Sequence, residues 1–161
     1  MGITMIETYF HSYPSVLGQI LIGESGGYIT SLHQYTDDPD DAIDRETEVL
    51  VRAYTQLQEY FAGERKTFDL PVRLSGTPFQ QSVWQALQRI PYGETRSYRD
   101  IAEAIGNPKA VRAVGSANNR NPLFIIIPCH RVIGSDGSLV GYGGGLAMKQ
   151  FLLDLEARNS Y

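Results

Sequence analysis

The sequence predicts an α+β chain: a small antiparallel sheet with a covering helix over residues 1–76, then a mainly helical, winged-helix-like domain over residues 77–161 containing a helix-turn-helix. Three observations carry this. The first third consists of short segments rich in β-branched and aromatic residues, parted by Pro14 and Gly26-Gly27. From Val49 onward, apolar residues recur at three- and four-residue spacing. Further on, two short helix signatures meet at Gly106-Asn107, a tight glycine-containing turn.

Element by element, Ile6 to His11, Gly18 to Gly23 and Tyr28 to Tyr35 read as strands. The acidic stretch Asp37 to Asp44 reads as a solvated loop. Val49, Leu50, Ala53, Tyr54, Leu57, Tyr60 and Phe61 then line one helical face until Gly63 supplies a stop. Residues 64–77 are polar, contain Pro71 and Gly76, and read as a linker or edge strand. Thr77-Pro78 suits a helix start, with Phe79, Val83, Ala86, Leu87 and Ile90 as the buried stripe, Trp84 in the core and Pro91-Tyr92-Gly93 as the end. Ser97 with Asp100 forms a capping-box pattern, opening a helix through Ile101, Ala104 and Ile105. Pro108 starts the next helix. Its inner side is expected to hold Val111, Val114 and Asn118, and its outer side Arg112, Ala113, Ser116 and Ala117. An outer face of one Arg among small residues fits close approach by something large, or packing against the amino-terminal domain. Leu123 to Ile127 reads as a buried strand that Pro128 ends.

Composition narrows the class. The 161 residues are 42% hydrophobic and 20% charged with a net charge of −4, as expected of a folded domain and not of a disordered one. The longest aliphatic run, Leu123 to Ile127, is far below the ~20 apolar residues of a membrane span. Cys129 is the only cysteine, which excludes an internal disulfide and a multi-cysteine zinc site, and points to a reducing, cytoplasmic setting. Charge is uneven: residues 1–77 carry a net −7 and residues 78–161 a net +3, so the halves are expected to meet different partners.

Cys129-His130 stands where an apolar run opens into a turn. A lone cysteine there is either an inert buried residue or a nucleophile with an adjacent base. Around it stand Ile127-Pro128-Cys129-His130-Arg131-Val132, Ser97-Tyr98, Arg112-Ala113-Val114-Gly115, Asn121-Pro122, Gly141-Tyr142-Gly143-Gly144-Gly145-Leu146-Ala147, and Leu152-Leu153 with Glu156. This set, in order and spacing over residues 78–157, resembles the O6-alkylguanine-DNA alkyltransferases.

The resemblance implies a single-turnover DNA repair protein whose cysteine takes the alkyl group from O6-alkylguanine and keeps it. Cys129 would be the nucleophile, His130 the base acting through a water, Glu156 the orienting carboxylate, Asn121 a support for the water and the turn, and Tyr98 the donor to the leaving guanine. Backbone at Cys129, Val132, Tyr142, Gly143 and Gly144 would read the base. The nucleotide would be flipped from the duplex, with Arg112 filling the gap and Ala113, Ser116 and Ala117 allowing the helix into the minor groove. Lys109, Arg120 and Arg131 would meet phosphates. Some relatives carry Ser at the position of Gly143, and others hold zinc through amino-terminal cysteines and histidines. Here that region has only His11 and His33, so no metal or other cofactor is expected. The expected partner is double-stranded DNA bound by a monomer, with no membrane. The alternative is a relative that binds the lesion without reacting.

Overall fold

The computed structural model describes residues 6–140, 142 and 145–160. The chain divides into two compact units, with the boundary between Leu74 and Ser75.

In the first unit, β1 (Thr8–Tyr13), β2 (Ile20–Ser25) and β3 (Tyr28–Gln34) form an antiparallel meander. β1 and β2 each begin two residues later than the residue pattern predicts, and Ser15 and Gly18 exchange backbone hydrogen bonds of 3.0 Å in the turn between them. A correction concerns the acidic stretch. Its last residues form β4 (Ile43–Asp44), parallel to β1, so the sheet is mixed, with order β3-β2-β1-β4. The His11 to Asp44 contact at 2.8 Å and the Arg45 amide on the Phe10 carbonyl at 3.1 Å hold it there. Helix α1 (Glu48–Phe61) turns Leu50, Ala53, Leu57 and Tyr60 inward, toward a sheet whose core is Ile20, Ile22, Ile29 and Leu32. Each such side chain contributes about 1.5–3 kcal/mol by leaving water. Within residues 64–77, Val72 pairs with Ile29 as an isolated parallel bridge, giving that sheet a short further edge.

The second unit opens with α2 (Pro78–Leu87), where Thr77 and Gln80 complete a capping box and Pro78 takes the first turn. Trp84 is buried and its indole donates to the Ala117 carbonyl at 2.9 Å, tying α2 to α4 (Val111–Asn119). Before α4 comes β5 (Arg96–Ser97) and then α3 (Tyr98–Ala104), capped by reciprocal bonds between Ser97 and Asp100 of 2.8 and 3.0 Å. Those bonds lower the Asp100 carboxyl below its usual range. Gly106, at φ 79°, makes the turn a side chain would resist.

Three expectations for this unit fail on the geometry. Pro108 lies in the turn, and α4 starts only at Val111. The inner stripe is Val114, Ala117 and Asn118, so Val111 is 38% exposed while Ala117 is 2% exposed. The Trp84 bond is what draws Ala117 inward. Likewise Leu123 to Ile127 is a buried turn and not a strand: the Ile126 amide bonds the Phe124 carbonyl at 2.8 Å and the Ile127 amide the Leu123 carbonyl at 2.9 Å. Ile125 sits at φ 71°, which a β-branched residue adopts only when its surroundings require it. After the turn come a 3₁₀ turn (Cys129–Arg131), β6 (Val132–Ile133) parallel to β5, and α5 (Leu146–Arg158).

Ser97→Ala removes the α3 cap. It is expected to lower stability by about 1 kcal/mol, seen as a lower urea midpoint with an unchanged slope.

Candidate active site

Cys129 opens the 3₁₀ turn and is buried. Asn121 fixes the peptide run before it, donating Nδ2 to the Ile127 carbonyl at 2.7 Å and accepting the Leu123 amide on Oδ1 at 2.9 Å. One side chain thus spans the strained turn at both ends. Asn118, which sequence reasoning placed only on an inner helix face, donates to the Cys129 carbonyl at 3.3 Å. Burial pushes the Cys129 thiol up, so it rests protonated; Asn121, the Tyr142 hydroxyl and the Lys149 charge each favour the thiolate against that trend. Burial also pushes the Tyr142 hydroxyl up, with the nearby thiol adding to it.

His130 is fully buried, and its Nε2 lies 2.6 Å from Glu156 Oε2. Its Nδ1 is buried with no hydrogen-bond partner among the described residues. Glu156, on α5, accepts further bonds from the Gly93 amide at 3.1 Å and from Arg131 Nε at 2.8 Å and Nη2 at 3.1 Å. Arg131 Nη1 meanwhile donates to the Ile90 carbonyl at 2.7 Å. This corrects the expectation that Arg131 contacts phosphate. Only 6% exposed, it neutralises a carboxylate that could not otherwise be buried. Burial by itself would raise the Glu156 carboxyl, but bonds and charge from His130 and Arg131 outweigh it and hold it at about 2. Burial lowers His130 below its ordinary value despite the opposing pull of Glu156, so the ring rests neutral.

Tyr98 begins α3 and its hydroxyl donates to the Val140 carbonyl at 2.7 Å. Lys149 Nζ reaches the same carbonyl at 3.0 Å and lies 5.8 Å from the centroid of the Tyr98 ring. Lys149 is fully buried, a residue to which the sequence reading gave no place in the site. The missed signal was spacing: Lys149, Leu152 and Glu156 stand at i, i+3 and i+7, one helical face. Val132 is fully buried. Gly143 and Gly144 lie outside the described residues.

On α4, Arg112, Ala113 and Ser116 are exposed, as are Lys109 and Arg120 nearby, whereas Ala117 is withdrawn beneath Trp84. Cys129, His130, Glu156, Asn121, Tyr98 and Tyr142 therefore gather around one buried centre, and the exposed basic residues belong to a separate surface.

Acid should weaken the protein in two steps of the same sign. The unfolded chain protonates His130 near its ordinary 6.5 while the buried ring resists, so stability falls as pH drops through that range. Glu156 stabilises fully above its ordinary 4.5 and loses that contribution as pH falls toward 2. Urea titrations from neutral to acid pH should show both steps; Glu156→Gln should remove the lower one and cost about 3 kcal/mol at neutral pH, since Arg131 is left buried without its counter-charge.

Two family models match the chain: 6-O-methylguanine DNA methyltransferase, ribonuclease-like domain, over residues 8–74, and 6-O-methylguanine DNA methyltransferase, DNA binding domain, over residues 78–158. The constitutive methylated-DNA–protein-cysteine methyltransferase of Bacillus subtilis is 54% identical over 161 residues, covering 95% of this chain and 97% of that one. The methylated-DNA–protein-cysteine methyltransferase of Methanosarcina acetivorans is 52% identical over 153 residues, covering 92% and 97%. Among solved structures, Mycobacterium tuberculosis OGT in complex with DNA superposes with a TM-score of 0.88 at 46% identity, covering 94% of each chain. Agreement of this kind extends through both units, and the chain belongs to the 6-O-methylguanine DNA methyltransferase family.

Proposed function

We propose that this protein repairs double-stranded DNA by transferring the alkyl group of O6-alkylguanine irreversibly to Cys129. The observation that carries the reading is the orientation of His130. With Nε2 committed to Glu156 at 2.6 Å, the neutral ring leaves Nδ1, buried and unpartnered among the described residues, to accept a proton.

In the proposed step the thiol proton passes to His130 Nδ1 through a bridging water. Sγ attacks the alkyl carbon; an S–C bond forms as the C–O6 bond breaks, and the electron pair leaves with the guanine oxygen. Glu156, already ionised, stabilises the imidazolium without taking its proton. Tyr98, whose hydroxyl burial keeps protonated, donates to the departing guanine. Asn121 holds the turn that presents the thiol. Backbone at Cys129 and Val132, with the segment of Tyr142, Gly143 and Gly144, is assigned to the base.

A guanine stacked in a duplex cannot reach a buried thiol, so the base must be extruded. Exposed Arg112, flanked by Ala113 and Ser116, is assigned to the gap it leaves in the minor groove, with Lys109 and Arg120 on phosphates. The protein is assigned to the cytoplasm as a monomer.

Intact-protein mass after incubation with a duplex bearing one O6-methylguanine tests this. A gain of one methylene's mass is expected with the lesion and not with unmodified duplex or with Cys129→Ser. Unchanged mass with selective lesion binding would instead establish a binding-only protein. Arg112→Ala should still methylate, but roughly a hundredfold more slowly on duplex, since extrusion costs a few kcal/mol. On a single-stranded lesion the same variant should lose little.

A further inference from the structure

Lys149 is a buried ammonium whose charge favours the Cys129 thiolate, yet its hydrogen bond goes to a backbone carbonyl to which the proposed chemistry gives no part. Burying such a group costs several kcal/mol unless something requires its charge, and an apolar side chain would fill the same space without that cost. Its bond to the Val140 carbonyl, shared with Tyr98, is the informative contact. The Val140 side chain is 44% exposed, so apolar burial does not hold the backbone there. Two hydrogen bonds to its carbonyl do, and two residues later comes Tyr142, whose buried hydroxyl and the Cys129 thiol each shift the other's ionisation.

Tyr98 has one hydroxyl proton. At rest it is spent on the Val140 carbonyl, and in the proposed transfer it is needed by the guanine oxygen. It cannot serve both. We infer that Lys149 is a positioning residue that keeps the Val140 carbonyl in place, and with it the approach to Tyr142, when Tyr98 turns from that carbonyl to the departing base. The inference rests on the role proposed for Tyr98. The contact of Lys149 with the Tyr98 ring fits this exchange, because the ammonium stays alongside the ring whichever acceptor the hydroxyl takes.

Two measurements test it. In protein labelled with carbonyl-¹³C valine, the Val140 resonance should stay close to its wild-type position in Tyr98→Phe, since Lys149 still donates, and move to a non-bonded position in the Tyr98→Phe, Lys149→Met double variant. In single-turnover transfer from O6-methylguanine duplex, Lys149→Met should slow the saturating rate about tenfold while the half-saturating DNA concentration changes little, and Lys149→Arg should recover most of the loss. A side chain that only fills space would be replaced well by Met and poorly by Arg, the reverse pattern. A Val140 resonance in Tyr98→Phe that has lost all sign of a donor would overturn the inference, as would wild-type transfer by Lys149→Met. Should Lys149→Met not fold, the Tyr98→Phe spectrum decides alone. Absence of transfer in the wild type would defeat the proposed function, while the spectrum of the free protein would still report on the contact.

Discussion

The second unit is organised around one buried negative charge. Glu156 is 1% exposed and could not remain ionised there alone, so its environment is built from donors: His130, two nitrogens of Arg131 and the Gly93 amide. These come from two separated stretches of chain, neither of them α5. The carboxylate therefore joins α5 to the 3₁₀ turn that carries Cys129 and to the turn that ends α2, and Arg131 extends the link to the Ile90 carbonyl. Burial of the charge and assembly of the site are the same event. A partly satisfied network of this kind would be worse than an apolar core, which is why its members cannot be exchanged one at a time.

A second constraint operates on the peptide run before Cys129. Five apolar residues could have formed a strand, but an extended run needs a ladder partner. Here only Leu123 is a bridge residue, and the chain then folds into a turn that places Ile125 at positive φ. Asn121 satisfies both ends of that turn and reaches the thiol. Structural and chemical roles are thereby joined in one carboxamide, and the strain at Ile125 is held by the same residue that favours the thiolate. From the other side, Asn118 holds the Cys129 carbonyl, while Trp84 pins the neighbouring Ala117 carbonyl. The helix that offers Arg112 outward is anchored inward to the backbone of Cys129.

How much of this was legible in the sequence depended on whether the signal was local. Caps are local, and Ser97 with Asp100 and Thr77 with Pro78 marked two helix starts correctly. The stripe from Leu50 to Tyr60 is local periodicity and placed α1 within a residue. Strand β4 was missed because its two residues, Ile43 and Asp44, are exposed and close an acidic stretch, and only pairing with β1 defines it. The run from Leu123 to Ile127 misled for the same reason: hydrophobicity reports burial, not whether a partner strand exists. Arg131 and Ala117 were placed outward because residue type and a helical wheel do not reveal a carboxylate 25 positions away or an indole 33 positions away. Motif resemblance gathered Cys129, His130, Glu156, Asn121 and Tyr98 for the site, but said nothing of Lys149, whose spacing with Glu156 was the readable clue.

The resting state of the centre is neutral where reaction would need charge. Burial raises the thiol, lowers the imidazole and keeps the tyrosine hydroxyls protonated, so Cys129 is not a thiolate awaiting any electrophile. A thiol kept protonated reacts slowly with alkylating agents in solution, because the thiolate is the nucleophile. The charges of Glu156 with Arg131, and of nearby Lys149, whose ammonium burial disfavours, are arranged to stabilise ions that do not yet exist: an imidazolium facing Glu156 and a thiolate within the field of Lys149. In the proposed transfer, proton movement from Cys129 to His130 would create both ions at once, and would become favourable only as the leaving oxygen draws electron density from sulfur through the alkyl carbon. For a protein whose acceptor is proposed to be used once, such a design confines ionisation to the encounter with the lesion, where Tyr98 can complete the charge balance.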